Sequence, residues 1–209
     1  MPIETFFFIL TAVLLEHSIM FHSRSLRVSN AAMIFFISAI KPLKWPYPIV
    51  PLVIPKNYDL MRSPFPILGC IKDDLVFVTN TWNSSIEPNL VHVDLDNNYQ
   101  STSLKYRLEK LLKNSKHMQK VKENYEKLQK TIGKETKETY IDASKGENLY
   151  VVELLVLLRS ALNDIFFFDD SDIRQAPDKK AYVLLKSKLA DAAAHKALLN
   201  GQLFANFHQ

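Results

Sequence analysis

The sequence predicts an α/β fold, with a layered sheet and flanking helices in the first half followed by an all-helical C-terminal part. Two patterns carry this. Up to about residue 100, short β-prone apolar runs alternate with longer apolar ones. Beyond it, apolar residues recur at steps of three, four and seven with lysines between them.

In order along the chain, Thr5 to Leu15 contains no turn former and Pro2 sits where a first helical turn tolerates it, so a buried helix is expected, stopping near Glu16 and His17. Ile19-Met20-Phe21 then reads as a strand. His22 to Ser25 closes it, with a serine able to accept a backbone N–H and cap a second helix through Leu26–Ile40. Pro42, Pro46, Pro48, Pro51 and Pro55 exclude helix, while Ile49-Val50 and Leu52-Val53-Ile54 keep strand character. Ile67 to Ile71, Leu75 to Val78 and Leu90 to Leu95 are further strands, the last ending in the turn-forming Asp96-Asn97-Asn98. Leu104, Leu108, Leu111, Met118, Val121, Tyr125, Leu128 and Ile132 then predict one long amphipathic helix, with a polar loop bracketed by Gly133 and Gly146. Leu149–Leu162 is apolar on nearly every side, as in a buried helix, and Asp178–Asn200 is another, with Gly201 placed to cap its end. The expected division is 1–100, an α/β part; 101–146, a lysine-rich helix and polar loop; and 147–209, a helical part.

A chain of 209 residues with 47% hydrophobic and 23% charged residues is globular in composition. With a mean hydropathy of −0.06, this excludes whole-chain disorder, collagen-like repeats and a polytopic membrane protein. The net charge of +4 is unevenly spread. Residues 101–145 hold twelve bases and six acids, a net +6, which leaves −2 for the rest. One basic segment in an otherwise acidic chain argues against nucleic acid as a partner. Lone Cys70 permits no intrachain disulfide and, flanked by Ile67, Leu68 and Ile71, reads as a small core residue. Glu4 precedes the first apolar run where a signal peptide needs Lys or Arg, and no run approaches the ~20 apolar residues of a membrane span. A cytoplasmic protein is expected.

No glycine-rich phosphate-binding pattern and no nucleophile-elbow pattern is present, and the chain has only four glycines. His17, His22, His92, His117, His195 and His208 are scattered, so they read as satisfied or surface histidines rather than metal ligands. Asp94 and Asp96, two apart at a strand end, point to the same side and would suit a metal or a proton-transfer pair, although Asp96-Asn97-Asn98 reads more simply as a turn. No cofactor, metal or covalent chemistry is expected. Asn83-Ser84-Ser85 fits a glycosylation triplet common by chance. The lysines of 104–132 alternate with Glu109, Glu123 and Glu126, which describes a solvated face; peripheral contact with an anionic membrane is a secondary possibility.

Four local patterns stand in a familiar order. They are Leu14-Leu15-Glu16-His17-Ser18-Ile19-Met20-Phe21-His22-Ser23, Lys44-Trp45-Pro46-Tyr47-Pro48-Ile49-Val50-Pro51-Leu52, Ser63-Pro64-Phe65-Pro66-Ile67-Leu68-Gly69 and Val91-His92-Val93-Asp94-Leu95-Asp96-Asn97-Asn98. Together they resemble the DENN module of Rab guanine-nucleotide exchange factors. Leu199-Asn200-Gly201-Gln202-Leu203-Phe204-Ala205-Asn206-Phe207 is similar to an ending of that family's downstream helical subdomain. The resemblance implies a central α/β subdomain at 1–100 and a downstream helical subdomain, with the family's upstream longin-like subdomain lacking. It implies a Rab small GTPase as partner and GDP release as the activity, on vesicle membranes, without covalent catalysis. The residues expected to meet the partner are Ser23, Arg24, Ser25 and Arg27, with Arg62 beside the Pro64-x-Pro66 turn; Trp45, Tyr47 and Gly69 are expected to be structural. The alternatives are a docking subunit of a DENN-containing complex that has lost exchange, and a small α/β enzyme.

Overall fold

A computed structural model describes residues 1–41, 43–72, 90–97, 99–100, 116–135, 152–159, 197 and 200–207. The expected strand at 75–78 lies outside these residues, as do helical positions 104–115 and most of 178–200. The chain forms two compact units: Met1–Leu108 together with Ala197–Gln209, and Glu109–Lys196.

The first unit is built on a five-stranded sheet. Its strands are β1 (Ser18–His22), β2 (Ile49–Val50), β3 (Leu68–Ile71), β4 (Leu90–Asp94) and β5 (Tyr99–Gln100), ordered β2-β3-β1-β4-β5. β1 pairs in parallel with β3 and with β4, in registers Met20 to Gly69 and Met20 to His92. β5 returns antiparallel to β4 through the turn begun at Asp94, a short edge strand beyond the expected elements. β1, β3 and β4 are buried along their whole length, which is why they read as unbroken apolar runs rather than alternating ones. β2 lies at the edge, where its flanking prolines are tolerated; beside it Leu68 N–H donates to Pro48 O at 3.2 Å and Val53 N–H to Cys70 O at 2.8 Å.

Helix α1 (Ile3–Leu14) follows Pro2 as its N-cap and is buried from Thr5 onward. Its aromatic and β-branched residues forgo about 0.5 kcal/mol each in helix propensity, against roughly 2 kcal/mol gained per buried side chain, so burial decides the outcome. Thr11 Oγ1 donates to the Phe7 carbonyl at 2.6 Å, satisfying a buried hydroxyl. Helix α2 (Leu26–Ala39) covers the same sheet face, where Phe21 stacks on Phe36 at 6.0 Å and Phe36 meets Phe6 at 5.6 Å. Cys70 Sγ lies 3.9 Å from Met33 Sδ on that side, a core position as expected. The opposite face carries Met20, Ile71 and Leu90, packed with Val53, Met61 and Ile67. Two 3₁₀ turns joined at a kink at Asn57 (Pro55–Arg62) supply Met61 and the half-buried Tyr58.

Two local expectations are corrected. Ser25 is the N-cap of α2 but makes no side-chain capping bond; Ser23 Oγ accepts the Ser25 N–H at 3.1 Å instead. Gly201 does not adopt the left-handed backbone of a helix cap, since no glycine among the described residues has positive φ. A Cβ there would sit 2.6 Å from Glu16 Oε1 and displace that carboxylate.

In the second unit, helix α3 (Lys116–Glu135) runs through Gly133, so the helix outlasts the expected loop boundary. Val121 and Tyr125, four apart, are buried, while Lys120, Lys122, Glu123, Glu126, Lys127 and Lys130 are exposed. Residues 152–159 form α4, with Leu154 and Leu158 buried. Among the described residues no helix is long and apolar enough to cross a membrane. Helix α5 (Gln202–Phe207) belongs to the first unit.

At Gly69 in β3 an added Cβ would meet Met20 Sδ at 2.8 Å and Val53 Cγ2 at 3.0 Å. Gly69→Ala is therefore expected to destabilise the protein by about 1–3 kcal/mol through overpacking, read as a lower urea midpoint at unchanged slope.

A polar cluster at the carboxyl ends of the central strands

In open parallel sheets, ligands and partners gather outside the carboxyl ends of the strands, near where the strand order reverses. Here the chain leaves β1 toward β2 and β3 on one side and later sets β4 on the other, so the carboxyl ends of β1 and β4 meet that condition. The β1–β4 pairing extends past Asp94, with Leu95 N–H donating to His22 O at 2.9 Å.

Two carboxylates organise this end. Asp94 Oδ1 accepts the Asp96 N–H at 2.9 Å and the Asn97 N–H at 3.0 Å, and Asp94 Oδ2 accepts Asn97 Nδ2 at 2.8 Å. Burial alone would push the Asp94 carboxyl up, but these donors, with His22 nearby, outweigh it and hold it below the usual carboxylate range. Asp96 Oδ2 accepts the Arg24 N–H and its Oδ1 accepts the Ser23 hydroxyl, both at 2.8 Å. Those two bonds hold the Asp96 carboxyl low as well. Both carboxylates thus stay ionised near neutral pH and serve the fold, which favours the turn reading over proton donation.

Of the residues expected to meet a partner, Arg24, Ser25 and Arg27 are exposed and follow one another out of β1 into the first turn of α2. Ser23 is only 1% exposed and acts on that rim through Asp96. Arg62 is exposed at the end of the 3₁₀ segment, on the connection returning the chain to the amino end of β3, so the five residues fall into two groups. Asp96, exposed and bonded to both Ser23 and Arg24, is the member of this cluster that residue type alone did not mark as a partner-facing position.

Register brings together two histidines seventy positions apart: His22 and His92 lie on the same sheet face, and His22 Nδ1 stands 3.7 Å from Asp94 Oδ1. That distance is too long for a hydrogen bond and becomes an ion pair only when His22 is protonated. Burial, with His22 beside it, lowers the His92 pKa to about 4. Burial also pushes the Cys70 thiol up to about 12, so it is no nucleophile at neutral pH. Among the described residues no group of three or more His, Cys, Asp or Glu side chains is arranged to hold a metal.

What the described residues build at these strand ends is a braced, partly basic rim. Residues 1–98 match the family model of the DENN (AEX-3) domain. No curated protein matches the chain.

The buried His92 fixes a pH dependence. The unfolded chain takes up a proton near pH 6.5 that the folded state refuses until about pH 4, so stability falls as pH drops between those values, by on the order of 3 kcal/mol. Urea midpoints measured at pH 7 and pH 4.5 are expected to differ markedly less in His92→Leu than in the unaltered protein.

Proposed function

We propose that this chain is a DENN-type guanine-nucleotide exchange factor, or a fragment of one, that binds a Rab small GTPase and promotes GDP release in membrane trafficking. The observation that carries the reading is the match of residues 1–98 to the DENN (AEX-3) domain. The exposed Arg24, Ser25 and Arg27 at the carboxyl end of its central strand form the contact rim. Exchange of this kind makes and breaks no covalent bond. A surface that binds the GTPase better without nucleotide than with it lowers the cost of emptying the site, and differential binding is all the chemistry required.

The local physics of the rim supports this assignment. Arg27 sits in the first turn of α2, where a cation is disfavoured by roughly 0.3–1 kcal/mol, so the helix gains nothing from it. An exposed guanidinium there suits bidentate contact with a carboxylate or phosphate on a partner. Asp96 pins the Arg24 backbone, so the rim is held in place before the partner arrives and less ordering entropy is lost on binding. Arg62 is assigned to a second, separate patch. Any membrane contact of α3 would be electrostatic, through its exposed lysines, because Val121 and Tyr125 are buried.

Release of a fluorescent GDP analogue from a panel of purified Rab proteins tests the proposal. At least one is expected to lose nucleotide ten times faster or more with the chain present, and Arg24→Glu with Arg27→Glu to abolish that acceleration while the circular dichroism spectrum stays unchanged. Binding without acceleration would instead establish a docking role, and absence of binding to every member would end both readings.

A further inference from the structure

We propose that Glu16 is a clasp that holds the segment Gly201–Phe207 against the α/β domain, and that opening it frees this segment while the sheet stays folded. Glu16 follows α1 in the left-handed backbone region, with φ of 56°, and is the only non-glycine residue with positive φ among those described. That conformation is set locally: the Glu16 N–H donates to Val13 O at 3.1 Å and the His17 N–H to Ala12 O at 2.9 Å, the paired bonds that close the carboxyl end of α1, so the backbone under the Glu16 side chain is fixed.

The carboxylate itself is held from two distant segments, one for each oxygen. Tyr47 Oη donates to Glu16 Oε2 at 2.8 Å, and the Leu203 N–H donates to Oε1 at 2.5 Å. The first fixes the carboxylate to the proline-rich strand region, where Trp45 packs edge-on against Tyr47 at 5.4 Å. The second takes up an N–H of the opening turn of α5 that has no partner within that helix. Gly201 completes the fit, since any Cβ would press on the same oxygen. A helix of six residues does not persist alone in water, so its order depends on what grips it. One ionised side chain with two oriented bonds supplies that grip next to the buried Leu203. Losing either the charge or its position therefore removes the hold on α5 without touching the hydrogen bonds of β1, β3 or β4.

Amide hydrogen exchange on the whole chain decides this. Glu16→Gly suits the left-handed backbone while deleting the carboxylate; Gly201→Ala keeps the carboxylate but displaces it. In both, exchange across Leu203–Phe207 is expected to accelerate at least tenfold, with β1, β3 and β4 unchanged, and Tyr47→Phe to give a smaller rise confined to the same segment. Unaltered exchange at Leu203–Phe207 in Glu16→Gly would overturn the proposal, as would an equal rise across the strands. Should Glu16→Gly not fold, Gly201→Ala settles the question by the same readout.

Discussion

The structure of the first unit depends on the central strand Ser18–His22, which is paired on both edges and covered on both faces. A strand so enclosed has no polar backbone group left to water, and every neighbour must accept its register. Phe21 points to the aromatic layer of α1 and α2, and Met20 to the layer of Val53 and Met61. The space a Cβ at position 69 would occupy is taken by the side chains of Met20 and Val53. The rim at the strand's carboxyl end inherits this rigidity. Ser23 is buried one residue beyond the strand, and its bond to Asp96 carries the order of the sheet out to Arg24.

Two titratable groups of this sheet serve the fold: Asp94 is taken up by structural hydrogen bonds, and Cys70 is buried until its thiol is inert at neutral pH. A short basic stretch at the start of α2 reaches solvent beside them, its backbone held by the carboxylate of Asp96 in the turn after β4.

Much of the architecture was legible before any coordinates. The helix from Ile3, the strands at Ser18, Leu68 and Leu90, and the turn after Asp94 all follow from local patterns, because a doubly buried parallel strand leaves an apolar run and a side-chain-bonded turn leaves Asp and Asn. The site was legible in part. Ser23 to Arg27 could be placed at the end of a strand from hydrophobicity alone, but the role of Ser23 as a brace could not, since its partner Asp96 is 73 residues away.

The sequence by itself determined the layered α/β class of the first half and the match of residues 1–98 to the DENN (AEX-3) domain, since both rest on local runs and motifs read within a few residues. Only the tertiary structure decided the strand order, the meeting of His22 with His92, and the use of Glu16 as a tie to a segment 187 residues away. Pairing of distant strands and capture of one backbone N–H by one remote carboxylate leave no periodic trace in the chain. They arise where enclosed backbone and side-chain groups must find partners, and that requirement acts in three dimensions.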